Sequence, residues 1–260
     1  MRASEGAHEV TAPALAEEPA IGRESGDRVV RLLTHGIWFT IVTILCVLLY
    51  ALLSGVVNPP APRTIAESTL YSMSALVKQR PTDGKAWADY VEALYATGDK
   101  AGAWAALKEG RKKVEHYRTI RQLNVAEVHL LILDGKNKEA VDKSTTYIQN
   151  DIDIRTQENA RNFERLIVVP YMQQDNAPTV RMFVLRATAQ GNLKQWKDAI
   201  VSFDNALKLQ PEAADVIVMR GWAKVEASDT AGAKKDFEEG LKYLPNDATA
   251  LRGLQQVKAK

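Results

Sequence analysis

The chain has 260 residues, 46% of them hydrophobic and 25% charged, with a formal net charge of +2; it can bury a core, and it lacks the strong positive field that nucleic-acid binding requires. Its single cysteine, Cys46, excludes an internal disulfide framework and a paired-cysteine zinc site, and its four histidines (His8, His35, His116 and His129) show no metal-ligand spacing. No glycine-rich phosphate loop, GxSxG or HExxH stretch occurs, so the expectation is no enzyme: no catalytic residue, no cofactor, no metal and no small-molecule substrate.

Residues 1–30 are rich in Glu, Ala, Gly and Ser and poor in bulky apolar side chains. Burial there cannot offset the entropy of ordering, and a disordered tail is expected. Residues 31–58 follow as a membrane anchor. Within them "IWFTIVTILCVLLYALLSGVV", Ile37 to Val57, has no charged residue, and at about 1.5 Å per residue it reaches roughly 31 Å, the thickness of a bilayer's hydrocarbon core. A buried core helix would carry polar residues on some face. The run is longer than the apolar core of a cleavable signal peptide and begins far from the N-terminus, so an uncleaved signal anchor is expected. Arg23, Arg28 and Arg31 precede it, and Arg63 is the only basic residue soon after it. The positive-inside rule then keeps the N-terminus in the cytoplasm and carries the C-terminal domain to the extracytoplasmic, periplasmic side. Cys46 in mid-span reads as a small apolar side chain.

A proline-rich linker, residues 59–64, stops the helix and favours an extended spacer. "TIAE", Thr64 to Glu67, fits a capping box, which predicts a leading helix over residues 65–80. Its apolar positions Ile65, Leu70, Met73, Leu76 and Val77 fall mostly on one face, and Pro81 ends it.

A repeat organises the rest. "KDAIVSFDNALKLQP" (197–211) and "AGAKKDFEEGLKYLP" (231–245) match Ala199 with Ala233, Phe203 with Phe237, Ala206 with Gly240 and Pro211 with Pro245, all at an offset of 34. Residues 178–246 thus hold two repeats. Residues 81–150 hold two weaker ones: Trp87, Tyr90 and Leu94 precede a Gly98-Asp99 turn, then Ala103 and Leu107. A second turn at Gly135 precedes Ala140, with Ser144 where Phe stands elsewhere. Residues 151–177 fit no repeat and read as an irregular insert, one helix broken at Pro170. Residues 247–260 read as a capping helix, with Asp247 as N-cap and Leu251, Leu254 and Val257 on its inner face.

These residues resemble the tetratricopeptide-repeat (TPR) family, whose unit is two antiparallel helices over 34 residues. Phe183, Arg186, Ala187, Gln190, Trp196 and Ala199 occupy its signature places in one copy, and Ile217, Arg220, Gly221, Lys224, Thr230 and Ala233 in the next. Small residues there let two helices approach closely, while Phe203 and Phe237 fill the gap between neighbours. The resemblance implies an all-α chain: one N-terminal transmembrane helix followed by a TPR-like solenoid of helical hairpins.

The resemblance also implies function, because TPR folds hold a partner's peptide or helix in a concave groove. By family register the groove-facing residues are Lys85, Ala88, Glu92 and Tyr95, then Arg181, Val184, Thr188 and Asn192, then Asp215, Val218, Trp222 and Glu226. Trp222 is the expected aromatic anchor. The two-lysine, two-asparagine clamp of chaperone-binding TPR domains is not matched, since Ala88, Glu92, Val184 and Val218 replace its donors. "LVKQRPTDGKAWADYVEALYATGD" is similar to TPR segments of cytochrome c maturation assembly proteins. The expectation is a membrane-anchored scaffold for a protein partner in assembly of an envelope or respiratory complex. The alternative is a permanent accessory subunit of a larger membrane complex.

Overall fold

The computed structural model describes residues 21–53, 64–164 and 175–258. All regular elements among the described residues are helices: α1 (Ile21–Leu53), α2 (Ile65–Gln79), α3 (Gly84–Ala96), α4 (Lys100–Lys113), α5 (Tyr117–Leu133) and α6 (Asn137–Glu164), then α7 (Ala177–Asn192), α8 (Trp196–Leu209), α9 (Ala214–Glu226), α10 (Thr230–Tyr243) and α11 (Ala248–Lys258). Residues Met1–Ala61 form one unit and Pro62–Lys260 another.

In the first unit, Val29–Ala51 is long and apolar enough to cross a membrane, with mean hydropathy 2.2, and none of it is buried within the protein. A signal sequence near the N-terminus can satisfy the same criterion of helix length and apolar composition. The threonine hydroxyls inside it find partners on their own helix: Thr40 donates to the Ile37 carbonyl at 2.8 Å and Thr43 to the Phe39 carbonyl at 2.7 Å. No polar group of these side chains needs water, as a hydrocarbon environment demands. Helix α1 begins at Ile21, ten residues inside the expected tail; once the apolar run forms a helix, each added turn needs only propagation, not a new nucleus. Tail residues 1–20, span residues 54–57 and linker residues 59–63 lie outside the described residues.

In the second unit, α2 opens with the Thr64 hydroxyl accepting from the Glu67 N–H at 3.1 Å. Four hairpins follow: α3/α4, α5/α6, α7/α8 and α9/α10, with each first helix packed on the second helix before it, and α11 closes against α9 and α10. All four hairpin turns share one device. A residue in the left-handed region sits at Gly98 (φ 90°), Gly135 (75°), Lys194 (60°) and Ser228 (66°). The next N–H then bonds back to a carbonyl five residues earlier: Asp99 to Leu94, Lys136 to Leu131, Gln195 to Gln190 and Asp229 to Lys224, at 2.8–3.0 Å. This satisfies carbonyls that a helix end would otherwise leave open.

The small residues do what close approach requires. Ala103, Ala140, Ala199 and Ala233 are each at most 1% exposed. Phe237, fully buried, lies between Gly221 on α9 and Gly253 on α11, and a Cβ added at either would press into its ring. On α11 the inward residues are Ala250, Gly253 and Val257, while Leu251 remains 42% exposed, contrary to its expected inner place. Asp247 caps the helix as expected, accepting from the Ala250 N–H at 2.6 Å.

A polar tie joins the two helices of three hairpins across the same 16-residue spacing, with its charges changed each time. Arg186 Nε donates to Ser202 Oγ at 3.0 Å. Arg220 Nε donates to Asp236 at 2.9 Å, and Lys224 joins that carboxylate at 2.7 Å. In the second hairpin the sign is reversed: Lys143 Nζ donates to Glu127 at 2.6 Å. Glu127 also accepts from Arg111 of α4 and from the Tyr147 hydroxyl. Burial pushes the Glu127 carboxyl up, but the Lys143 and Tyr147 hydrogen bonds and the Arg111 charge outweigh it and hold it below the ordinary range.

Helix α6 crosses residue 150, where the repeats were expected to give way to an insert, and runs unbroken for 28 residues. No glycine or proline interrupts it. Its distal half is held by tertiary contacts: Asp151, 7% exposed, pairs with Arg121 and Arg155 and accepts from the Thr179 hydroxyl of α7 at 2.7 Å. The expected break at Pro170 lies outside the described residues.

Candidate partner-binding groove

An open groove of about 600 Å³ lies between α2, α3 and α5. Thr69 and Met73 of α2 form one wall. Ala93 and Ala96 of α3 line it with small side chains, Leu133 of α5 adds an apolar side chain, and Asp89, Glu92 and His129 add polar ones. Its polar centre spans three first helices: Arg181 Nη2 of α7 donates to Glu92 Oε1 of α3 at 2.6 Å, and His129 Nδ1 of α5 lies 3.3 Å from the same oxygen. Burial raises the Glu92 carboxyl, but the His129 hydrogen bond and the Arg181 charge more than compensate, so it stays ionised below the usual carboxylate range.

Lys85, Glu92 and Tyr95 all belong to α3. Glu92 and Tyr95 line the groove, and Lys85 borders it through an exposed ion pair with Asp89 at 2.8 Å. Tyr95 turns its hydroxyl to Asp134, donating at 2.9 Å. It also falls one residue out of step with Asn192 and Glu226, whose equivalent on α3 is Ala96. Asn192 donates to Asn137 at 3.0 Å, and Asp215 and Glu226 are exposed.

The row Val184, Val218 and Trp222 is not an open apolar strip. Val218 is 5% exposed and packs where a Cβ on Gly240 would stand. Val184 is half-buried against the central core. The Trp222 ring meets Phe237 edge-on with centroids 5.5 Å apart, and its buried Nε1 has no hydrogen-bond partner among the described residues. Trp222 is thus half-buried: family register gives the face of a helix, and the packing of α10 and α11 decides how much of that face remains open.

His129, Asp89, Met73 and Thr69 were not foreseen as groove residues. The signal for His129 was its place on the helix preceding the Gly135 turn, one first helix beyond Glu92. Among the described residues no three His, Cys, Asp or Glu side chains converge as metal ligands. A second cavity, bounded by Arg121, Tyr147, Asp151 and Thr179, has about 20 Å³, room for a water molecule and no more.

The fold is TPR-like. BtubC from P. vanneervenii superposes with a TM-score of 0.55 at 13% identity, over 75% of this chain and 80% of that one. A tetratricopeptide repeat protein from Parabacteroides merdae gives 0.48 at 16% identity, over 73% and 61%. The first TPR domain of human RPAP3 gives 0.42 at 21% identity, over 54% and 91%. No protein-family model and no curated protein matches the sequence.

Proposed function

We propose that the chain is a non-enzymatic, membrane-anchored scaffold that binds a segment of a partner protein across its first helices, in assembly of an envelope or respiratory complex of the cytochrome c type. The observation that carries the reading is the groove beside Glu92. Its polar centre is drawn from α3, α5 and α7, and it combines apolar walls with fixed charge, as peptide-binding grooves do. Helix α1 is the anchor in this reading, with the N-terminus in the cytoplasm and the repeats on the periplasmic side.

Site-specific photo-cross-linking in native membranes tests it. A photoreactive residue at Arg181 is expected to capture one partner of defined mass, and the same residue at exposed Glu109 on α4 to capture none. Equal yields from both positions, or no product from Arg181, would overturn the reading. Recovery of the complex only after cross-linking fits an assembly factor, whereas stoichiometric recovery in mild detergent makes the chain a permanent accessory subunit. Protease added to spheroplasts should digest the repeats if they face the periplasm.

A further inference from the structure

In repeat register helix α2 stands as the second helix of a hairpin, and no described helix of the second unit stands as its first. Helix α2 ends at Gln79, 34 residues before α4 ends at Lys113, which is one TPR period. In that register Thr69 stands where α4 has Ala103, and Met73 where it has Leu107. In complete hairpins these two places are covered by their own first helix. Ala103 and Leu107, Ala199 and Phe203, and Ala233 and Phe237 are all at most 5% exposed. On α2, by contrast, Thr69 is exposed, Met73 is half-buried, and both face the groove.

The sequence one period before α3 is a poor match to a first helix. One period before α3 lie residues 50–62, which carry Pro59, Pro60 and Pro62, and proline removes the backbone donors a helix interior needs.

The neighbouring first helix carries a charge at this slot. Asp89 occupies the place of Ala126 on α5 and Leu185 on α7, both buried, and of Met219 on α9, which is 44% exposed. Its partner is Lys85 in an exposed pair, which an incoming cation can replace at little expense. Equivalent places on adjacent first helices meet, as Glu92 and His129 do at 3.3 Å. A helix filling the slot would therefore set its own residue of that register beside Glu92.

From these observations we infer that the slot between α2 and α3 takes an amphipathic helix of the partner, which completes the open hairpin with an apolar stripe on Thr69, Met73 and Ala93 and presents lysine or arginine to Asp89 and Glu92. The inference rests on the proposed scaffold role for the occupant being a protein partner. Its site and chemistry come from the repeat register.

The test uses the full chain in detergent micelles and two fluorescent peptides with the sequence of residues 84–96, one unaltered and one carrying Asp89→Lys and Glu92→Lys. The basic peptide is expected to bind saturably by anisotropy, about tenfold or more tighter than the unaltered acidic one. Met73→Arg in the chain should weaken it by at least about tenfold, and so should Thr69→Arg, at an exposed position where the fold tolerates the change. Equal affinity for the two peptides, no binding of either, or binding that survives both chain variants would overturn the inference. None of these results bears on cross-linking from Arg181, which judges the scaffold role separately. Sedimentation showing a dimer that Met73→Arg dissociates would also overturn it, by assigning the slot to a second copy.

Discussion

Gly253→Ala probes how tightly the last hairpin is closed. The new methyl would stand 2.5 Å from Cε2 and 2.7 Å from Cε1 of the Phe237 ring. The ring cannot retreat: on its other side a Cβ at Gly221 would already lie 2.7 Å from Cε1, and the Trp222 ring closes a further side edge-on. Two effects of opposite sign compete. Replacing glycine by alanine inside a helix contributes about 0.5–1 kcal/mol of stability, whereas forcing a methyl into a filled core costs about 1–3 kcal/mol. Overpacking should win by about 1–2 kcal/mol, which lowers the melting temperature by a few degrees in a domain of this size, at roughly 2–4 °C per kcal/mol. Melts followed by far-ultraviolet circular dichroism would measure it. The decisive comparison repeats Gly253→Ala in a Phe237→Leu background, where a smaller side chain leaves room and alanine should become neutral or stabilising. The coupling between the two sites should reach about 1–3 kcal/mol. An alanine that stabilises the wild type, or that destabilises both backgrounds equally, would refute this account of the packing.

The turns offer a second test, because Lys194 and Ser228 hold the left-handed conformation that Gly98 and Gly135 hold in the earlier hairpins. That conformation costs an ordinary residue about 1–2 kcal/mol, of which glycine's extra freedom in the unfolded chain returns about 0.5–1. Lys194→Gly and Ser228→Gly should each raise stability by up to about 1 kcal/mol in urea unfolding, and Gly98→Ala should lower it. A third test is alkaline. Burial and the hydrogen bond to Glu127 push the Tyr147 hydroxyl from 10.0 to about 12, a folded-state value above the unfolded one. Its contribution is therefore complete below pH 10 and lost as pH rises from 10 to 12. Melting temperature should fall across that window in the wild type and fall less in Tyr147→Phe. Finally, Trp222→Ala should lower the melting temperature, because the ring packs on Phe237; unchanged stability would refute that packing.

The helical hairpins were legible in the sequence because their cause is local and periodic. A buried alanine needs a small side chain wherever two helices touch, a turn needs a residue that accepts positive φ, and both needs return together in every hairpin, 34 residues apart in the last two. The apolar run of α1 was legible for a similar reason, since length and composition alone decide whether a helix could cross a bilayer. The exposure of a given first-helix position was not legible, because it depends on which neighbouring helix lies over it. Trp222 and Glu92 occupy equivalent places, yet the tryptophan is packed against Phe237 while the carboxylate is held by Arg181, 89 residues away, and by His129, 37 residues away. The reach of α6 past residue 150 was hidden too, because what holds its distal half, Asp151 between Arg121, Arg155 and Thr179, is assembled from three helices. The open slot beside α2 combines both kinds of information. Sequence places Met73 one period before Leu107, and only the folded chain reveals that Leu107 is fully covered and Met73 only half.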